Sequence, residues 1–429
     1  MKKTLYTLLF VSIFITCNAQ QNVRFDDYFY DATMRIDYMR SGCMKHDTCI
    51  FKEFSYQNDA WAGSLTQLLD PIDNGEYRLL VKDATTGRDL YSRCYNTLFE
   101  EYRSTIASRE RDSIANFEEV MLMPMPKKAV DICLQKRDKK NRFFTSASFR
   151  FDPTTIRINK RLPDKKPLQL RYNGDPHNKI DVVIVAEGYG RKDAKKMKAD
   201  FEKFTEYMLA QEPFKSRASD FNVWGVGLLM PESGVTDPNA NRYVESAVGS
   251  SYNTFNMNRY LMTTQLFRLH NLLRGVPYDH IIIMANCDTY GGGAIYNYYA
   301  FSAVQEMSMW ILPHELGHSI GGLADEYVED DPNYNRRYEG IEPLEPNITS
   351  LVNFEAKWKY LVPEGTPIPT KPAEGLGRRD NGPVGAYEGA GYLEKGCYRP
   401  CTKCMMRDYA EFCPVCKKRM IEIFDLYTK

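Results

Sequence analysis

The chain has 429 residues, 43% of them hydrophobic and 13% aromatic, which is enough apolar material for two or three domains of roughly 100–200 residues. Its 56 basic and 56 acidic side chains give a formal net charge of zero. That balance leaves no electrostatic footprint for nucleic acid or an anionic membrane, so neither is expected as a partner.

The first residues, MKKTLYTLLFVSIFITCNAQ, read as an export signal. Lys2 and Lys3 form a positive head, and the apolar run from Leu5 to Thr16 is shorter than the ~20 residues a bilayer span needs. Small residues allow cleavage after Ala19, so residues 1–19 are the predicted signal peptide. The protein is then secreted, periplasmic or held at the cell surface. Lipid attachment at Cys17 is the alternative processing, although Thr16 is an unusual neighbour for it; a membrane association is expected only through that anchor. Without Cys17, ten cysteines remain: Cys43, Cys49, Cys94, Cys133, Cys287, Cys397, Cys401, Cys404, Cys413 and Cys416. An even number in an oxidising compartment predicts disulfides.

Residues 20–160 are mostly strand-like. Met34, Ile36 and Tyr38 alternate with Arg35 and Asp37; Tyr77, Leu79 and Val81, then Val130, Ile132 and Leu134, repeat the theme. Period-2 runs broken by turns such as ATTG predict an antiparallel β-sandwich, a scaffold or binding module without a catalytic constellation. Its histidine, His46, reads as a surface residue beside Cys43 and Cys49. The charged stretch NKRLPDKKP, residues 159–167, is the predicted linker.

From residue 168 to 429 the pattern is α/β. IDVVIVAEGY is a buried strand, and Met197, Phe201, Phe204 and Met208 mark one face of the helix that follows. FNVWGVGL reads as strand, RYLMTTQLFRLHNLL as helix and HIIIMANC as strand. His270 and His280 in these elements read as structural. GGGAIYNYYAFSA predicts an aromatic strand, placed either in the core or at a sheet edge where an extended peptide can pair with it. Pro313 suggests that the helix after it begins near Leu312. Residues 362–392 form a long Gly- and Pro-rich loop, and CKKRMIEIFDLY a closing helix.

The chemistry concentrates in HELGHSIGGLADEY, residues 314–327. Helical positions i and i+4 share a face, so His314 and His318 can present imidazoles to one ion. Glu315 is one residue round and can act as base on a metal-bound water, the logic of H-E-x-x-H. A catalytic zinc needs a third protein ligand. One arrangement takes it from a later glutamate: Glu339, Glu342, Glu345 or Glu355. The other turns the chain back at Gly321, as in H-E-x-x-H-x-x-G-x-x-H. The usual third-ligand position holds Ala324, which cannot bind metal; Asp325 is next, and Gly322 can absorb the offset. Asp325 is the predicted ligand. Glu326 is the runner-up, or a partner that orients a histidine. Tyr409 reads as a hydrogen-bond donor to the developing oxyanion or as a packed or surface tyrosine. Arg407 reads as structural.

VAEGY (185–189), HELGHSIGGLADEY (314–327), YEGAGY (387–392), YRP (398–400), CMMR (404–407) and FCPVC (412–416) together resemble the IgA-specific metalloendopeptidase family, exported bacterial zinc peptidases related to metzincins. The resemblance spans most of the chain from about residue 170, and the N-terminal sandwich is similar to an accessory domain of such proteins. It implies zinc held by His314, His318 and Asp325, Glu315 as general base, and a methionine turn at Met405 or Met406. The offset at Ala324 departs from the wider metzincin pattern. Cys401, Cys404, Cys413 and Cys416 form two C-x-x-C pairs with eight residues between them, which favours disulfides over a second, structural zinc; Cys287 is available to pair with Cys397.

The expected fold is therefore mixed α+β: an N-terminal antiparallel β-sandwich followed by a metzincin-like α/β zinc-peptidase domain. The expected function is an exported zinc-dependent metalloendopeptidase with Glu315 and Tyr409 catalytic and one Zn2+ as cofactor. Its expected partner is a protein or peptide substrate, host proteins and glycoproteins included. The alternatives are a zinc amidase acting on cell-wall or other amides, and a surface binding protein with an inert zinc domain.

Overall fold

Seven strands build the N-terminal half: β1 (Phe29–Gly42), β2 (Asp47–Asn58), β3 (Tyr77–Asp83), β4 (Asp89–Tyr95), β5 (Ala115–Pro126), β6 (Val130–Arg137) and β7 (Phe143–Phe151). The computed structural model describes residues 23–158, 160, 162–163, 166–329, 338, 340–372 and 382–428. The signal peptide and lipid-anchor readings lie outside these residues, as do parts of the linker and of the Gly/Pro-rich stretch. The strands form two antiparallel sheets, in the orders β2-β1-β5 and β4-β3-β6-β7. Side chains of a strand point alternately to its two faces. Met34, Ile36 and Tyr38 of β1 and Met121 and Met123 of β5 therefore meet Leu79 and Val81 of β3 and Ile132 and Leu134 of β6 in one core. The expected sandwich is present.

Arg35, Asp37 and Arg40 of β1 are buried as well. Arg40 points into the sandwich: Nε donates to Glu119 Oε1 and Nη1 to Asp47 Oδ2, both at 2.8 Å, and the guanidinium lies 4.3 Å from the Tyr77 ring centre. Arg40 and Glu119 are 0% and 1% exposed. Removing one partner of a buried pair strands the other charge in a low dielectric. Arg40→Ala is expected to lower unfolding stability by about 3–5 kcal/mol in urea titration at neutral pH. Arg40→Met combined with Glu119→Leu should recover most of that loss. A single variant as stable as the parent would show that the pair is inert.

The second half holds a six-stranded sheet of β8 (Leu168–Arg171), β9 (Ile180–Glu187), β10 (Phe221–Gly227), β11 (His280–Ala285), β12 (Gly292–Ile295) and β13 (Tyr299–Ala303), in the order β12-β13-β11-β9-β10-β8. Its middle pairs are parallel, and β8 and β12 pair antiparallel at the two edges. β9 explains its continuous apolar run by being buried on both faces. Val182 and Ile184 pack with Phe201, Phe204 and Met208 of helix Ala194–Ala210 and with Leu312 and Leu316. Val183 and Val185 pack with Leu98, Phe99, Phe117 and Val120 from the N-terminal half. A hairpin of β14 (Tyr387–Ala390) and β15 (Leu393–Arg399) and a closing helix, Pro414–Thr428, complete the chain. Among the described residues no helix is long and apolar enough to cross a membrane.

The structure corrects several sequence expectations. The helix read over RYLMTTQLFRLHNLL is confined to Leu266–Leu272. Thr263 turns the chain before it: Oγ1 donates to Val248 O at 2.6 Å and accepts from Gln265 N at 3.0 Å. The aromatic strand is a hairpin, β12 and β13, whose turn holds Asn297 at φ 52. β12 does lie at the edge, but Leu261 N already donates to Gly292 O at 3.2 Å, so main-chain pairing is taken at its start. The helix carrying His314 begins at Ser308, not near Leu312. Pro313 is tolerated inside it because the carbonyl that loses its partner belongs to the exposed Met309. His270 and His280 are buried and structural: His270 Nδ1 bonds the Tyr278 hydroxyl at 2.7 Å.

All ten described cysteines are free thiols, so the expected disulfides are not formed in this structure. Cys287 and Cys397 sit in separate apolar clusters, the first beside the Tyr252 hydroxyl at 3.0 Å and the second with Ile348 and Ala390. That separation rules out the pairing considered for them.

Candidate metal centre

Helix Ser308–Ser319 buries Ile311, Leu312 and Leu316 and leaves His314 and His318 half-buried one turn apart. The helix ends where Gly322 N donates to His318 O at 3.0 Å and Leu323 N to Gly317 O at 3.1 Å. Gly322 has φ 59, a left-handed C-terminal cap that a side chain would oppose. The reversed chain is held by Asn347, whose Oδ1 accepts from Ala324 N at 2.8 Å and whose Nδ2 donates to Ala324 O at 2.9 Å. Asp325 then returns under the helix.

There Asp325 Oδ1 lies 3.1 Å from His314 Nε2 and 3.4 Å from His318 Nε2, and the two Nε2 atoms are 3.1 Å apart. His314 Nδ1 faces Met405 O at 2.9 Å and His318 Nδ1 faces Leu323 O at 2.7 Å. A carbonyl oxygen can only accept, so each Nδ1 donates and each neutral ring turns its Nε2 lone pair to the common centre. Tetrahedral nitrogen ligands about 2.0–2.1 Å from zinc stand roughly 3.3–3.4 Å apart, so the three atoms fit one ion. Electrostatics agree. Burial alone would lower both imidazoles, yet Asp325 outweighs it, raising His314 and lifting His318 to about 9. Burial opposes ionisation of Asp325, but His318 and His314 hold it far below the usual carboxylate range. The cluster demands positive charge, as protons or as a metal.

Glu315 is buried and outside this triad; burial pushes its carboxyl up against the opposing pull of His314 and His318. A Cβ on Gly292 would come within 2.8 Å of Glu315 Oε1, which places this carboxylate over the edge strand. Met405 and Met406 form the floor. Met406 packs against Gly317, where any side chain would collide with its sulfur. Gly317 is thus the close-approach residue within HELGH.

Tyr409 is 62% exposed and lies beside Trp310, with 6.1 Å between ring centres. Burial first, then the neighbouring Tyr409 and Glu315, push Tyr290 up. Both tyrosines line a cleft of ≈ 530 Å³ with Asp237, Asn258, Arg259 and Thr289. Glu326 does not orient a histidine: its Oε1 lies 2.9 Å from Asn347 Nδ2 and 3.3 Å from Cys416 Sγ. Nor do the glutamates considered for a later helix reach the imidazoles. Glu342 accepts from Ser350 and Asn353, Glu345 from Tyr338, and Glu355 pairs with Lys359, while Glu339 lies outside the described residues. Arg407 donates to Thr402 O at 3.2 Å and lies 3.7 Å from Asp408, a structural place.

Two residues escaped the sequence reading. Asn347 is one. The other is Tyr392, between β14 and β15, whose hydroxyl donates to Asp325 Oδ2. Next to it Gly391 N donates to Asp325 O at 2.9 Å, so the hairpin pins the returning segment. YEGAGY carries this contact, but no local spacing connects it to a residue so distant in the chain. Glu187 of VAEGY accepts from Ser246 Oγ, Val248 N and both N and Oγ of Ser250, which fixes the loop beyond β10.

Residues 168–382 and 376–424 match the family model described as IgA Peptidase M64, and residues 24–148 match Peptidase M64 N-terminus. This family match makes the chain a peptidase of a metallopeptidase family. The chain belongs to the IgA peptidase M64 family, which its two matches cover almost from end to end. No curated protein matches it.

Proposed function

We propose that the protein is an exported, zinc-dependent metalloendopeptidase of the H-E-x-x-H type, cutting peptide bonds in proteins or peptides, with the ion held by His314, His318 and Asp325. The observation that carries this reading is the convergence of two Nε2 atoms and one carboxylate oxygen at 3.1–3.4 Å, each imidazole locked by a backbone carbonyl. Bound there, zinc supplies a Lewis acid that polarises the scissile carbonyl and acidifies water.

Glu315 takes the proton of the attacking water and returns it to the leaving amine. Tyr409 is the donor we assign to the developing oxyanion, supported by its place with Tyr290 at the cleft. We place the substrate in this cleft because Tyr290, which lines it, lies close enough to feel the charge of Glu315. Export rests on the Lys2–Lys3 head and the short apolar run behind it.

A mixed peptide library read by mass spectrometry tests the reading. The parent is expected to cut, to stop after chelation and dialysis, and to recover on adding one equivalent of zinc. Cutting that survives removal of all metal would overturn it, as would a fully loaded protein that cuts no peptide.

A further inference from the structure

Behind the floor of the metal centre lies a second cluster. Ligand atoms of Glu326, Cys404, Cys413 and Cys416 all lie within 4.8 Å of one another, and all four residues are buried. We propose that they form a structural metal site for a thiophilic divalent cation, zinc being the fit by size and donor set.

Cys404 Sγ and Cys416 Sγ are 3.7 Å apart. Thiolates at about 2.3 Å from a tetrahedral zinc stand roughly 3.8 Å apart, whereas a disulfide requires about 2.05 Å. Cys413 N donates to Cys404 Sγ at 3.2 Å, which supports a thiolate there. Cys413 precedes helix Pro414–Thr428 and Cys416 lies in its first turn, where the helix dipole favours negative sulfur.

The carboxylate gives the independent pointer to a cation. Glu326 is 0% exposed, and its Oε2 has no hydrogen-bond partner. A buried carboxylate is tolerated when paired or bound to metal. Three thiolates and one carboxylate on a dication leave excess negative charge; the Arg399 guanidinium beside Glu326 offsets part of it. Cys401 touches Cys413 but falls outside the set.

The position gives the site its purpose. Glu326 directly follows Asp325, and Glu326 N donates to Met406 O at 2.8 Å. Cys404 directly precedes Met405, whose carbonyl orients His314. A metal here staples the segment bearing Asp325 to the methionine loop and to the closing helix. The assignment stands whether or not His314, His318 and Asp325 bind zinc.

The test uses the mature protein with cobalt replacing its metal. The cysteine site is expected to show near-ultraviolet thiolate-to-cobalt charge transfer, which imidazole and carboxylate ligands cannot produce. The absorption should persist in His318→Ala, separating this site from the catalytic reading, and vanish in Cys404→Ser combined with Cys416→Ser. Should that variant fail to fold, thiol mapping of the denatured parent without reductant decides: Cys404, Cys413 and Cys416 are expected to react as free thiols once chelator is added. Disulfide-linked peptides from these residues would overturn the site, as would a parent without the absorption. Metal retention should fall in Glu326→Gln and be unchanged in Cys401→Ser; the reverse pattern would overturn the role of Glu326.

Discussion

Glu315→Gln is expected to lower peptide hydrolysis by about 10²–10⁴-fold, the range in which a positioned general base contributes, with metal content unchanged. The argument is geometric. Glu315 shares the helix with His314 and His318 but lies one residue round, over Gly292 of the edge strand. Glutamine keeps the shape and the packing against Gly292 and removes the ability to carry a proton. Metal should stay because the converging ligand atoms belong to His314, His318 and Asp325. Initial rates on a peptide cut by the parent, beside metal analysis of both proteins, check both halves. A variant that cuts at the parental rate would remove Glu315 from the chemistry. One that loses its metal would make Glu315 a ligand instead of the base.

Much of this centre was legible because helix geometry is local. Positions four apart share a face whatever surrounds them, so His314 and His318 could be paired from spacing alone. Asp325 was reachable by counting from Gly321, since Gly322 at φ 59 is the extra residue that turns the chain back. The strands of the sandwich and β9 were legible for a related reason: periods of 2 and unbroken apolar runs report burial directly. What was not legible depends on contacts far apart in sequence. Asn347 and Tyr392 hold the Asp325 segment from other loops. The aromatic run broke into a hairpin because Asn297 takes a left-handed turn, which apolar periodicity does not encode. Pro313 misplaced the helix start because the carbonyl left without an N–H donor belongs to the exposed Met309. The alternation on β1 also does not reveal that Arg35 and Asp37 are 1% exposed and pair with each other against the second half.

That last point leads to the second large effect: residues 168–429 expressed without the N-terminal half are expected to be insoluble or molten. The linker at 159–167 separates two sequence patterns, yet one apolar cluster crosses it. Val183, Val185, Ile281, Ile283 and Phe301 of the α/β sheet share it with Leu98, Phe99, Phe117 and Val120. Each such side chain gains about 1.5–3 kcal/mol by full burial, so baring these five removes up to roughly 7–15 kcal/mol, comparable with a domain's usual margin of about 5–15 kcal/mol. Buried polar groups would lose partners too. Arg35 Nη1 donates to Asn271 at 2.8 Å, Gln57 to His270 O at 2.9 Å, Phe267 N to Glu118 at 2.8 Å, and Asn297 to Cys94 O at 2.8 Å. The contact reaches the turn that caps the helix of His314 and His318, since Asn74 Nδ2 donates to Gly322 O at 3.3 Å. Size-exclusion chromatography and cooperative unfolding check the outcome, with residues 23–158 supplied as a separate chain to restore a soluble complex. A lone fragment that runs as a monomer, unfolds cooperatively and cuts peptides would show that the N-terminal half is an appendage. If only the complex is active, the sandwich acts as one wall of the peptidase core, and variation at its β1 and β5 face should change stability and activity together.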